Sequence, residues 1–263
     1  MKRVLFLAVA IALCIVAKGQ DFNVFLKVAE QGDPNAQALV GAMYFDGKAV
    51  AQDCVKAREW FKKSADQGNA LGQWGMGMLL YHGCGCEQDL SEAVRWFRLS
   101  AEQGNPIAQS DLAACYENGR GVVKNEPEAV KWYRLAAEQG HAEAQLQLGI
   151  CYKIGRGVAQ DVAEAQKWYR KSAEQGNAKA QSNMGVCYLR GQGVEKNYRE
   201  ALRWFHMAAE QGDAMAQNNI GYCYENGYGV AKDKQEAIRW YKMAARNGLD
   251  LAKTALIKLN ETW

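Results

Sequence analysis

Small, aromatic and apolar residues recur along this chain at a fixed step of 36 residues. Trp60, Trp96, Trp132, Trp168, Trp204 and Trp240 fall in register, and so do Gln37, Gln73, Gln109, Gln145, Gln181 and Gln217. Gly68, Gly104, Gly140, Gly176, Gly212 and Gly248 close the same count, with Gly32 one step earlier. No insertion breaks the step. A period of this size is the mark of stacked small units that share one continuous core.

Each unit reads as two helices. The first opens on a polar residue, Asp33, Asn69, Asn105, Asn177 or Asp213, whose side-chain oxygen can accept a free first-turn amide. Pro34 and Pro106 sit just inside, where a missing N–H costs nothing. His141 departs from this cap pattern. The helix stops at Gly47, Gly83, Gly119, Gly155, Gly191 or Gly227, and a short loop follows. The second helix opens on Asp53, Asp89, Asn125, Asp161, Asn197 or Asp233 and ends at Gln-Gly or Asn-Gly, a left-handed stop. Ala57, Ala65 and their copies allow close approach, and the tryptophan fills the gap beside them. The expected fold is all-α: a right-handed superhelical solenoid of stacked antiparallel helix pairs.

The ends differ from the units. Lys2 and Arg3 precede an apolar run, Val4 to Ala17, and then Ala17-Lys18-Gly19. This order reads as a secretory signal peptide over residues 1–19, cut before Gln20. The run is too short for a membrane span, and Leu13 sits where lipidation at Cys14 would call for a small residue. Residues 20–32 supply a half-repeat helix, 33–248 the six units, and 249–263 a closing helix. Such ends cover the apolar faces that a bare stack would expose. The expected location is periplasmic or secreted, with no stable membrane insertion.

Charge then narrows the partners. Of 32 Lys and Arg, three lie in the leader, so 29 remain against 29 Asp and Glu. Such a chain has no electrostatic reason to bind nucleic acid.

With these positions placed, the chain resembles the Sel-1-like repeat family, relatives of tetratricopeptide repeats. The pattern of alanine, leucine-glycine, tyrosine, glycine-x-glycine-valine, aspartate, tryptophan and paired alanines is met nearly in full by residues 144–176 and 180–212. The second unit departs most, with Gly75, Leu80 and Cys86 at off-pattern positions. The resemblance implies a scaffold or adaptor for protein complexes, with no catalytic residues to carry over. For some secreted relatives it also implies penicillin binding, so an envelope or cell-wall ligand, or a weak cell-wall enzyme, is the alternative.

Positions that vary between units are free of the duty to hold the stack. In the first helix these lie at i, i+4 and i+7, on one stripe, and the resemblance puts first helices on the concave side. The large apolar members are Phe45, Trp74, Met78, Tyr81, Ile150, Leu189 and Tyr222. They are the expected groove for a protein or peptide partner, with Trp74, Met78 and Tyr81 as its main anchor. The same spacing would also serve packing between neighbouring helices.

The cysteines divide in two. Cys115, Cys151, Cys187 and Cys223 stand at the 36-residue step where Met43 and Leu79 stand earlier, so they read as buried fillers. Stacked equivalents lie roughly 10 Å apart by helix packing, beyond disulfide reach. Cys54, Cys84 and Cys86 are off the period. A bridge from Cys54 to Cys84 or Cys86, unpaired thiols, and a Cys/His metal set with His82 are the three readings. Three scattered histidines and recurring structural glycines point to no catalytic set, and no metal or cofactor is expected.

Overall fold

The computed structural model describes residues 22–262. Fourteen α-helices lie among them: α1 (Phe22–Glu30), α2 (Pro34–Asp46), α3 (Cys54–Asp66), α4 (Ala70–His82), α5 (Leu90–Glu102), α6 (Pro106–Asn118), α7 (Glu126–Glu138), α8 (Ala142–Ile154), α9 (Val162–Glu174), α10 (Ala178–Arg190), α11 (Tyr198–Glu210), α12 (Ala214–Asn226), α13 (Lys234–Arg246) and α14 (Asp250–Lys258). The expected leader, residues 1–19, lies outside the described residues. The chain divides into two compact units at Ala136–Ala137, within α7.

In the first unit α1 packs on α2, α2 on α3, α3 on α4, α4 on α5 and α5 on α6, and α2 also touches α4. In the second unit α8 to α14 do the same, and α10 touches α12. Contacts between successive helices, and between first helices of adjacent repeats, are what a stack of repeats predicts.

The caps follow their chemistry. Asp33 Oδ1 accepts from the Ala36 amide at 2.7 Å, and Asn105 Oδ1 from the Ile107 amide at 3.0 Å. His141, expected to break the pattern, caps α8 instead: its Nδ1 accepts from the Ala144 amide at 3.2 Å. Burial pushes the imidazole below its ordinary value, against a small opposing pull from Glu143. A neutral ring keeps a lone pair for the helix; a protonated one would not.

The residue after each tryptophan, rather than the tryptophan itself, fills the centre of the helix pair. Phe61, Phe97, Tyr133, Tyr169, Phe205 and Tyr241 are all buried, whereas Trp60, Trp96, Trp132 and Trp240 are only half-buried. Five of these rings, Phe61, Phe97, Tyr169, Phe205 and Tyr241, press on a glycine in the first helix of their own repeat. A Cβ added at Gly77 would come 2.6 Å from the Phe97 ring, and one at Gly185 2.4 Å from the Phe205 ring. The recurring glycine is therefore a seat for the ring. By the 36-residue step Ala113 stands at that seat in the third repeat, where the ring of the same register is Tyr133.

The invariant glutamines stitch the layers. Gln181 Nε2 donates to the Ala173 carbonyl at 3.2 Å, reaching back to the preceding repeat. Its Oε1 accepts from Gln211 Nε2, at the end of its own repeat, at 2.8 Å. Gln145 makes the same pair of bonds, to the Ala137 carbonyl at 3.0 Å and from Gln175 at 2.7 Å. A buried amide with donor and acceptor both used fixes the register between layers.

Each loop also rests on the repeat before it. Gly121 has φ +70°, and a Cβ there would lie 2.0 Å from the Leu90 carbonyl oxygen, so only glycine fits. Gly193 approaches Val162 and Gly229 approaches Tyr198 in the same way. The four recurring cysteines, Cys115, Cys151, Cys187 and Cys223, are buried as expected. Burial pushes the Cys115 and Cys223 thiols up to about 12, which keeps them protonated and inert.

Candidate functional site

The variable stripe of the first helices does not face outward along its whole length. Its leading positions are turned inward: Ala38 is 3% exposed, Leu146 1% and Asn218 7%, with Ser110 and Ser182 also buried. Successive residues turn about 100° around a helix, and five of the six leading residues face inward, Trp74 being half-buried. This corrects the expectation that whole trios line a surface.

The seven large apolar candidates separate accordingly. Phe45 packs against the cluster of Phe61 and Leu79, and Ile150 against that of Leu146 and Met184. Trp74 is half-buried, and its indole Nε1 donates to Asp111 Oδ2 at 2.7 Å. Trp74 therefore spends its polar edge on the neighbouring helix. Met78 and Tyr81 line a cavity of about 120 Å³ with His82, Phe97, Asp111 and Ala114. Leu189 and Tyr222 line another, of about 690 Å³.

That second cavity lies wholly within the second unit. α10 contributes Leu189 and Arg190, α12 contributes Asn218, Asn219, Tyr222 and Glu225, and α14 closes one side with Lys258 among others. The loops before α11 and after α12 add Lys196 and Tyr228. Tyr198 and Tyr228 stack with ring centroids 4.7 Å apart, and Tyr222 leans on Tyr228 at 5.6 Å. Tyr222 remains 42% exposed, a large ring held open by its neighbours. Glu225 is already bonded, accepting from the Tyr241 hydroxyl at 2.7 Å. Asn218 Oδ1 is buried with no donor, an acceptor that folding leaves unanswered. Among these residues only Leu189 and Tyr222 were picked out by the repeat argument. Asn218 and Glu225 were varied positions of the same stripe, while Lys196, Tyr228 and Lys258 come from loops and the closing helix, which the period does not place.

Cys54 is joined to Cys84 by a disulfide, with Cα atoms 5.4 Å apart. Cys86 stays a thiol, with Sγ 3.7 Å from the Leu79 carbonyl. The bridge uses a junction already present elsewhere. Counted in steps of 36, Cys54 corresponds to Tyr198 and Cys84 to Tyr228, the stacked pair of the second unit. The same place in the fold carries sulfur once and stacked rings once. No group of three or more His, Cys, Asp or Glu able to hold a metal occurs among the described residues, and none of their helices is long and apolar enough to cross a membrane.

Two-helix units stacked through one set of buried contacts, with varied side chains on the first helices, define an α-helical repeat scaffold. The chain belongs to the Sel1 repeat family: the Sel1 repeat matches residues 34–69, 70–105, 106–141, 142–177, 178–213 and 214–249. Proteins of this family are protein-interaction scaffolds and generally non-catalytic. The chain is similar to a Sel1 repeat protein from Oxalobacter formigenes, at 36% identity and TM-score 0.80, over 89% of this chain and 97% of that one. It is also similar to c5321, a protective antigen present in uropathogenic Escherichia coli strains, at 35% identity and TM-score 0.78. That match covers 88% of this chain but 50% of the other, so the chain spans half the length of the Escherichia coli protein. No curated protein matches the sequence.

Proposed function

We propose that this chain is a scaffold that binds a peptide or protein segment in the groove formed by α10, α12 and α14. The observation that supports it most is the cavity of about 690 Å³ holding an open Tyr222 ring, Leu189 and the unanswered Asn218 acceptor. Its volume falls in the range of about 300–1,000 Å³ that ligand sites occupy. Arg190, Lys196 and Lys258 outnumber Glu225 on its wall, and aromatic rings beside cations suit a segment that mixes apolar and polar groups. Changing Tyr222 to Ala is expected to weaken capture of the bound partner by about tenfold or more, the loss that an interface anchor of about 1.4 kcal/mol produces. Capture is read against the unaltered protein, with helical content by circular dichroism as the folding control. Undiminished capture by a folded variant would remove this groove from consideration.

We propose further that the chain works outside the cytoplasm. The basic start with its apolar run and the Cys54–Cys84 bridge support this, since such bridges persist in oxidising compartments. The protein recovered from expressing cells is expected to begin at Gln20 by mass spectrometry. A chain that still begins at Met1 would count against export.

A further inference from the structure

Two departures from the repeat meet in one place. Trp74 stands where the other units have Ala38, Ser110, Leu146, Ser182 and Asn218. Asp111 stands where they have Leu39, Gly75, Gln147, Asn183 and Asn219, so it is the one carboxylate at that step. The two are bonded, Trp74 Nε1 to Asp111 Oδ2 at 2.7 Å. Neither is needed to hold a stack that four other layers build without them.

Beside this pair is the cavity of about 120 Å³ walled by Met78, Tyr81 and Phe97, with Ala114 small enough to leave it open. Tyr81 and Phe97 rings lie 6.1 Å apart. Asp111 and His82 also line the cavity. Its charge is poorly answered. Burial pushes its carboxyl up, and only the Trp74 N–H and the field of His82 oppose that. Arg120, on the same loop system, donates to the Tyr81 hydroxyl at 2.7 Å rather than to Asp111. A buried carboxylate with no Lys or Arg bonded to it is costly, and a cation that arrives beside aromatic rings recovers part of that cost.

We infer that this pocket receives the alkylammonium end of a lysine side chain from a bound peptide, with Asp111 as counter-ion, Met78, Tyr81 and Phe97 around the methylene stem, and Trp74 as the residue that aims the carboxylate. A cavity of about 120 Å³ with apolar walls and one carboxylate suits a straight chain ending in a compact charge, and Met adapts to such a stem. The pocket belongs to the first unit and is tested apart from the α10–α12–α14 groove, so the failure of either leaves the other standing.

The test follows the Trp74 indole N–H resonance, assigned by its loss in Trp74→Phe. A capped Ala-Lys-Ala peptide is titrated into the protein, beside the same peptide carrying Nε-acetyl-lysine. The unmodified peptide is expected to shift the resonance, and the acetylated one to bind at least tenfold more weakly, about 1.4 kcal/mol. Asp111→Asn keeps an acceptor for Trp74 and is expected to erase the difference between the peptides. Equal shifts from both peptides on the unaltered protein, or no shift from either, would overturn the inference, and that comparison holds even if the variant does not fold.

Discussion

Replacing Phe205 with alanine is expected to lower the stability of the second unit by about 3–5 kcal/mol, the cost of a fully buried aromatic truncated to a methyl. Phe205 is 0% exposed and packs among Ala201, Ala208, Ala216, Ile220 and Cys223. Its ring covers Gly185 so closely that a Cβ there would come within 2.4 Å. The two sites should therefore couple. Gly185→Ala alone is expected to destabilise, because the methyl meets the ring. In the Phe205→Ala background the same methyl enters the space the ring has left, and its penalty should vanish or reverse. Urea unfolding of the four proteins measures this as a double-mutant cycle. Additive losses would show that ring and glycine do not form one seat. Ala113, in the register of Gly185, is the chain's own version of the substituted seat, which makes a tolerated Gly185→Ala with a modest loss the natural expectation.

Opening the Cys54–Cys84 bridge is expected to cost the first unit about 2–4 kcal/mol, from the chain entropy returned to the unfolded state by a loop of this size. The bridged residues are 30 apart in sequence. The double change to serine should melt at a lower temperature than the oxidised protein, and reductant should bring the unaltered protein down to the same point. Cys86→Ser should change neither, since Cys86 takes no part in the bridge. Identical melting of oxidised and reduced protein would show that the bridge constrains nothing that folding requires. The approach of Gly85 to the Cys54 carbonyl, where a Cβ would lie 2.7 Å away, resembles the sulfur-free junctions at Gly121 and Gly229. Native contact at this point thus exists without sulfur, and the penalty should be chiefly one of entropy.

The helices, their caps and their stops were legible because each depends on a local signal: an aspartate or asparagine before the first turn, a glycine after the last. His141 escaped because imidazole is an uncommon cap, although its Nδ1 has the acceptor the position asks for. The tryptophans drew attention by their register, yet the rings buried in every repeat are those one residue later. A step of one residue turns a side chain about 100° around the helix, and no count of the period says which of two adjacent aromatics faces the glycine. The candidate site was legible in part. Variation between units pointed to Met78, Tyr81, Leu189 and Tyr222, which do border cavities. Phe45 and Ile150 instead rest half-buried against packed clusters, and variation did not single out Asp111, whose bond is to a residue 37 positions away. The pairing of Cys54 was open between two partners. The register with Tyr198 and Tyr228 was present in the numbers, but it carries meaning only once those rings are seen to touch.

The seam between neighbouring layers has a bearing on how such chains change length. Gln181 holds the Ala173 carbonyl, and Gln217 holds that of Ala209 by the same bond one layer later. If residues 178–213 were lost, Gln217 would arrive where Gln181 now sits, and Gly229 would come to rest on Val162 in place of Gly193. Duplication would restore the same joins in the opposite direction. Recombination in units of 36 codons can therefore lengthen or shorten this part of the molecule while the glutamine and glycine joins are re-formed.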